Sequence, residues 1–142
     1  MGLVWEEQAL ASGRTYAGFG VKLKPGHLLT LRFEFGAARL NALEWGICRE
    51  HAKIQVDAAK AEIVADAMDG VFGVRQRGHV WPWYTGTGAQ DHVLRDDECN
   101  WATSAAPWLS IGDKSEQGLV GRIVKLALEV RVALADVDAV MH

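Results

Sequence analysis

Residues 15–35 read TYAGFGVKLKPGHLLTLRFEF, and the period of this stretch decides the fold. Ala17, Phe19, Val21 and Leu23 alternate with Gly18, Gly20, Lys22 and Lys24. After a turn, Leu29, Leu31, Phe33 and Phe35 alternate with Thr30, Arg32 and Glu34. Alternation sends successive side chains to opposite faces, so both runs predict strands with one apolar face and one polar, solvent-side face. Lys24-Pro25-Gly26-His27 supplies the turn, because Pro presets φ and Gly accepts positive φ. Both apolar sets share a face only if odd positions pair with odd ones, as in Leu23 opposite Leu29. Gly18 and Gly20 weaken the first strand or let another group approach its backbone closely.

On the N-terminal side, residues 3–11 (LVWEEQALA) predict a short helix stopped by Ser12-Gly13, with Trp5 docked on the body of the protein. On the other side, Leu40, Leu43, Ile47, His51, Ile54, Ala58, Ala61, Ala65 and Met68 recur at steps of three and four. That pattern predicts a helix over 37–69, ending at Asp69-Gly70. About 30 helical residues span roughly 45 Å, longer than a domain of this size needs, so a break is expected near Trp45-Gly46. His51 on its apolar face reads as a core histidine.

A second hairpin is expected next, with Phe72 and Val74 opposite Trp83 and Trp81 across an Arg77-Gly78 turn. In it Trp81 and Trp83 share a face and Tyr84 lies opposite. Pro82 cannot donate to a ladder, which assigns this strand to a sheet edge. Trp108-Leu109-Ser110-Ile111, preceded by Pro107, reads as a short strand. The last helix, led in by residues 113–116, carries a stripe of Leu119, Ile123, Leu126, Val130, Ala133 or Leu134, Val137 and Met141. A second stripe of Val120, Val124, Leu128 and Ala135 runs beside it. So wide an apolar arc packs on both sides within the monomer, or packs a second copy on its outer side as a homodimer. Residues 1–142 are therefore expected to form one α+β domain. Its antiparallel sheet has four or five strands, the N-terminal hairpin plus the Trp-rich hairpin, with two long helices on one face.

Composition narrows the function classes. The chain is 49% apolar and 23% charged, as folded chains are. A net charge of −3 without any Lys/Arg run lacks the footprint of a nucleic-acid binder. The apolar-rich stretch 119–140 contains Arg122, Lys125, Glu129, Arg131, Asp136 and Asp138, too many charges for a membrane span. The opening MGLVWEEQAL lacks the basic and apolar regions of a signal peptide, and Glu6 stands where myristoylation wants Ser or Thr. Two cysteines, Cys48 and Cys99, are too few for a disulfide framework. A soluble, cytoplasmic chain is the expectation.

The stretch richest in functional side chains is 79–112, HVWPWYTGTGAQDHVLRDDECNWATSAAPWLSIG, which holds four of the six tryptophans. Its histidines and Cys99 run H-x12-H-x6-C, a spacing that fits no zinc motif, and Asp96-Asp97-Glu98 lacks the alternation of a calcium loop. No metal and no cofactor is expected. No nucleophile elbow or cysteine-protease flank accompanies Cys99, and Gly86-Thr87-Gly88 is a fragment of a phosphate loop without its Lys. Glu34, beside Arg32, reads as an ion pair rather than a catalytic carboxylate. The remaining signal is aromatic and acidic. Trp is enriched where proteins bind one another, and acidic side chains steer basic partners. Trp81, Trp83, Tyr84, Asp91, His92, Asp96, Asp97 and Trp101 are thus the expected binding residues; the alternative for the aromatic ones is that they fill a core against the alanine-rich helix, large against small. They suit a small non-catalytic protein, immunity- or inhibitor-like, that masks a protein partner. The competing expectation is a small-molecule pocket or modest enzyme lined by tryptophans between sheet and helices.

Overall fold

A computed structural model describes residues 4–8, 16–23, 28–49, 54–86 and 93–137. The fold is α+β. Its sheet has five strands in sequential order: β1 (Val4–Gln8), β2 (Gly18–Lys22), β3 (Leu29–Ala37), β4 (Asn41–Arg49) and β5 (Trp83–Tyr84). All neighbours are antiparallel. Helix α1 (Ala58–Phe72) lies between β4 and β5, and α2 (Ala106–Gly112) and α3 (Leu119–Ala133) follow.

The β2–β3 register follows the odd-with-odd rule, with Phe19 opposite Phe33 and Val21 opposite Leu31. The turn residues 24–27 lie outside the described residues. Phe19, Val21, Leu31, Phe33 and Phe35 form the core with Leu43, Trp45 and Ile47 of β4. The second face is not solvated as alternation predicts: Thr30, Arg32, Glu34 and Cys48 are buried there too. Glycines make that possible on the sheet itself. A Cβ at Gly46 would stand 2.5 Å from the Trp83 carbonyl oxygen and 2.8 Å from Trp81 Cε3.

Four expected elements take another form. Residues 4–8 are strand β1, not a helix, because β2 offers a free edge on which Trp5 falls opposite Val21. The helix over 37–69 splits into β4 and α1, and Trp45-Gly46 sits inside a strand rather than at a helix break. Leu43 and Ile47 satisfy the strand period as well as the helix period, Trp45 the strand period alone, and pairing with β3 along the whole of β4 decides between them. His51 lies outside the described residues. Helix α1 starts at Asp57, whose Oδ1 accepts from the Ala59 and Lys60 N–H groups at 3.1 and 3.3 Å. It runs past Gly70 to Phe72, where Gly73 at φ +84° ends it.

The second hairpin is reduced to a single Gln76–Tyr84 bridge, since Phe72 belongs to α1. β5 pairs with β4 instead, at the sheet edge as Pro82 requires. Residues 106–112 are helix α2, not a strand. Pro107 occupies the first helical turn, where its missing N–H costs nothing. The inner stripe Leu119, Ile123, Leu126 and Val130 of α3 is buried, as are Leu134 and Val137 just past its end, and Met141 lies outside the described residues.

Candidate functional site

The expected binding residues do not form one site. Trp83 is 0% exposed, packed at a tilt against Trp45 and Phe72 with ring centroids 5.1 and 5.9 Å away. Its Nε1 donates to Asp69 Oδ1 at 2.9 Å. Arg77 also bonds Asp69 and reaches Glu62 Oε1 at 2.7 Å and Asp66 Oδ1 at 2.9 Å, so one guanidinium clamps the segment after α1 back onto the helix. Burial alone would raise the Asp69 carboxyl, but the hydrogen bonds from Arg77 and Trp83 outweigh it and hold it below the usual carboxylate range.

Trp101 is 8% exposed and packs on Phe19 and Phe35 at 5.8 and 5.2 Å. Trp81 and Tyr84 are half-buried and meet edge to face at 6.2 Å. Together they cover Gly46 on the second face of the sheet, so Trp81 and Trp83 do not share a face as the hairpin reading requires. Asp91 and His92 lie outside the described residues. His79 is exposed, and Cys99 is half-buried with Sγ 3.6 Å from the Arg95 carbonyl oxygen. Among the described residues no group of His, Cys, Asp and Glu is arranged to hold a metal, and no helix is long and apolar enough to cross a membrane.

Asp96 and Asp97 stand exposed on a 3-10 turn, Asp96–Glu98. What they neighbour was not expected. Ser104 Oγ donates to the Asp97 carbonyl at 3.0 Å and accepts from the Ala106 N–H at 3.3 Å, which stitches the acidic turn to the start of α2. On α2, Trp108 and Leu109 are 52% and 74% exposed. Trp108 is held in place: its Nε1 donates to the Trp101 carbonyl at 2.6 Å and its ring meets Trp101 at 5.3 Å. Trp101 in turn donates Nε1 to the Glu98 carbonyl at 2.9 Å. An acidic turn and an exposed indole therefore sit on one connected scaffold. Reading 108–111 as a strand hid this, because a helix starting at Ala106 is what puts Trp108 and Leu109 on the outside.

The scaffold is anchored from beneath by an ion pair. Glu98 is buried, and its carboxylate accepts from Arg122 of α3 and from the Arg95 N–H at 3.2 Å. Arg122 also donates to the Val93 carbonyl, to Ser110 Oγ at 3.0 Å and to the Gln117 carbonyl at 3.0 Å. One side chain so ties the turn, α2 and α3 together.

A second polar set lies on the far face of the sheet. Arg32 Nε donates to Glu34 Oε2 at 2.8 Å, its Nη2 donates to the Tyr16 carbonyl at 3.2 Å, and both side chains are buried rather than solvent-side. Glu44 stands directly across from Glu34 on β4. Burial pushes the Glu34 carboxyl up against the opposing pull of Arg32; burial and then the Glu34 charge push Glu44 up. Such a pair retains a proton to higher pH than free carboxyls do. Compared with known proteins, the chain matches no family model, no curated protein and no solved structure.

Proposed function

We propose that this chain is a non-catalytic binding protein that masks a protein partner, as immunity and inhibitor proteins do, through α2 and the acidic turn. One observation carries the reading: Trp108 and Leu109 project outward on a helix stitched to the exposed Asp96 and Asp97. The partner this suits has an apolar pocket with basic side chains at its rim. The carboxylates speed encounter, and the indole, once desolvated in the pocket, sustains the complex. The test is affinity capture from cell extract with wild type, Trp108→Ala and Asp96→Lys/Asp97→Lys, followed by titration of the captured protein. Trp108→Ala should weaken binding by about 2 kcal/mol or more, chiefly through faster dissociation. The charge reversal should slow association, and more so at low salt. Equal binding by all three would overturn the proposal.

A further inference from the structure

We infer that the outer face of α3 is where two copies of this chain pair about a two-fold axis. The inner stripe of α3 is in the core, yet Val120, Leu128 and Val132 are 42%, 48% and 78% exposed. With Val124 they form a single row at steps of four, about 18 Å long at 1.5 Å per residue. The row from Val120 to Leu128 walls an open groove of about 630 Å3 whose opposite side is Ile111 and the loop from Asp113 to Glu116. A smaller apolar crevice of about 190 Å3 shares Ile111 and Val120 and extends the surface to Trp5 at the sheet edge. An exposed apolar row rimmed by polar side chains is the arrangement that interaction sites of folded proteins show.

Shape and charge select a second copy as the occupant. An i, i+4 row is the ridge that enters the matching groove of another helix in the commonest packing class, with axes crossing at about 50°. Two identical rows related by a dyad meet that requirement. In a two-fold contact the patch meets itself, so any excess of one charge at its rim repels. The rim here carries Asp113 and Glu116 against Lys114 and Lys125, balanced although the chain as a whole is at −3. The exposed Asp96 and Asp97 have the opposite character, since two copies of that turn would repel one another.

Sedimentation velocity and native mass spectrometry, over micromolar to millimolar concentration, test the inference on wild type, Leu128→Glu, Val132→Lys and Lys125→Glu/Glu116→Lys. Wild type should dimerise. Leu128→Glu and Val132→Lys should each raise the dissociation constant at least about tenfold (about 1.4 kcal/mol) with unchanged helical circular dichroism, since both side chains are exposed. The double rim exchange keeps the balance and should still dimerise. Monomeric wild type throughout overturns the inference, as does a dimer that survives both single substitutions. A dimer lost in Trp108→Ala but kept in Leu128→Glu would overturn it too, by placing self-contact on the other surface.

Discussion

Replacing Arg122 by Met removes the one side chain that joins the acidic turn, α2 and α3. The cost follows from what is left behind. Glu98 has a side chain 2% exposed, and after the change its carboxylate retains only the Arg95 N–H among the short contacts. Arg95 Nε is 3.8 Å away on a side chain 60% exposed, too long and too well solvated to replace a buried guanidinium. Breaking a buried pair from one side costs roughly 3–5 kcal/mol, mostly the desolvation of the surviving charge. The Val93 and Gln117 carbonyls also lose their charged donor, which adds to the loss. Glu98→Gln removes the stranded charge, so in the double variant much of that penalty disappears. The expected coupling is about 2 kcal/mol, near the upper part of the range for residues in one network. Urea denaturation of wild type, the two single variants and the double variant, followed by tryptophan fluorescence, measures it. An Arg122→Met cost under about 1 kcal/mol, or singles that add within about 0.5 kcal/mol, would refute the idea that this pair anchors the scaffold.

Two further outcomes follow from the sheet. Glu44 has a folded-state carboxyl pKa raised above its unfolded value, so its contribution to stability is present below the ordinary carboxylate range and is lost as pH rises through the raised value. Glu44→Gln should therefore flatten that decline and gain a few tenths to about 1 kcal/mol at neutral pH, read from melting curves at acidic and neutral pH; a loss at neutral pH would contradict it. Gly46→Ala places a Cβ 2.5 Å from the Trp83 carbonyl oxygen and 2.6 Å from Tyr84 Cβ, against backbone that cannot move without breaking β4–β5 pairing. It should destabilise by roughly 1–3 kcal/mol and wet the Trp81 ring, while Gly112→Ala, with nothing within 4 Å of its Cβ, should melt like wild type.

How far the sequence discloses the fold depends on where the deciding interaction lies. The β2–β3 register and the inner stripe of α3 are legible because a local period specifies them. The β3–β4 connection is not. Ala38-Arg39-Leu40 contains none of the usual turn residues, yet Arg39 and Leu40 adopt φ of +62° and +52°. A left-handed conformation costs an L-residue roughly 1–2 kcal/mol. Support comes from sixty residues away, where the Trp101 N–H donates to the Leu40 carbonyl at 2.8 Å and the Leu43 N–H to the Cys99 carbonyl at 3.1 Å. No window around residue 40 contains that information, so the three-and-four spacing of Leu40, Leu43 and Ile47 suggests a helix. The burial of Arg32 and Glu34 escapes the same way: alternation identifies which face they take, not whether that face is covered.

For the candidate site the difficulty is that residue type does not separate an indole that fills the core from one that binds. Each of Trp83, Trp101 and Trp108 donates its Nε1 inside the molecule, to Asp69, to the Glu98 carbonyl and to the Trp101 carbonyl respectively. A buried indole requires such a partner. Trp108 has one although the residue is 52% exposed, and that changes what the ring offers. Its orientation is fixed before any partner arrives, so little side-chain freedom remains to be lost on binding. A contact made by an immobilised ring should also dissociate slowly. Tyr16 is more exposed than Trp108, but its described contacts run through the backbone alone. Exposure by itself would rank the two rings the other way; the anchored nitrogen and the neighbouring carboxylates are what favour Trp108.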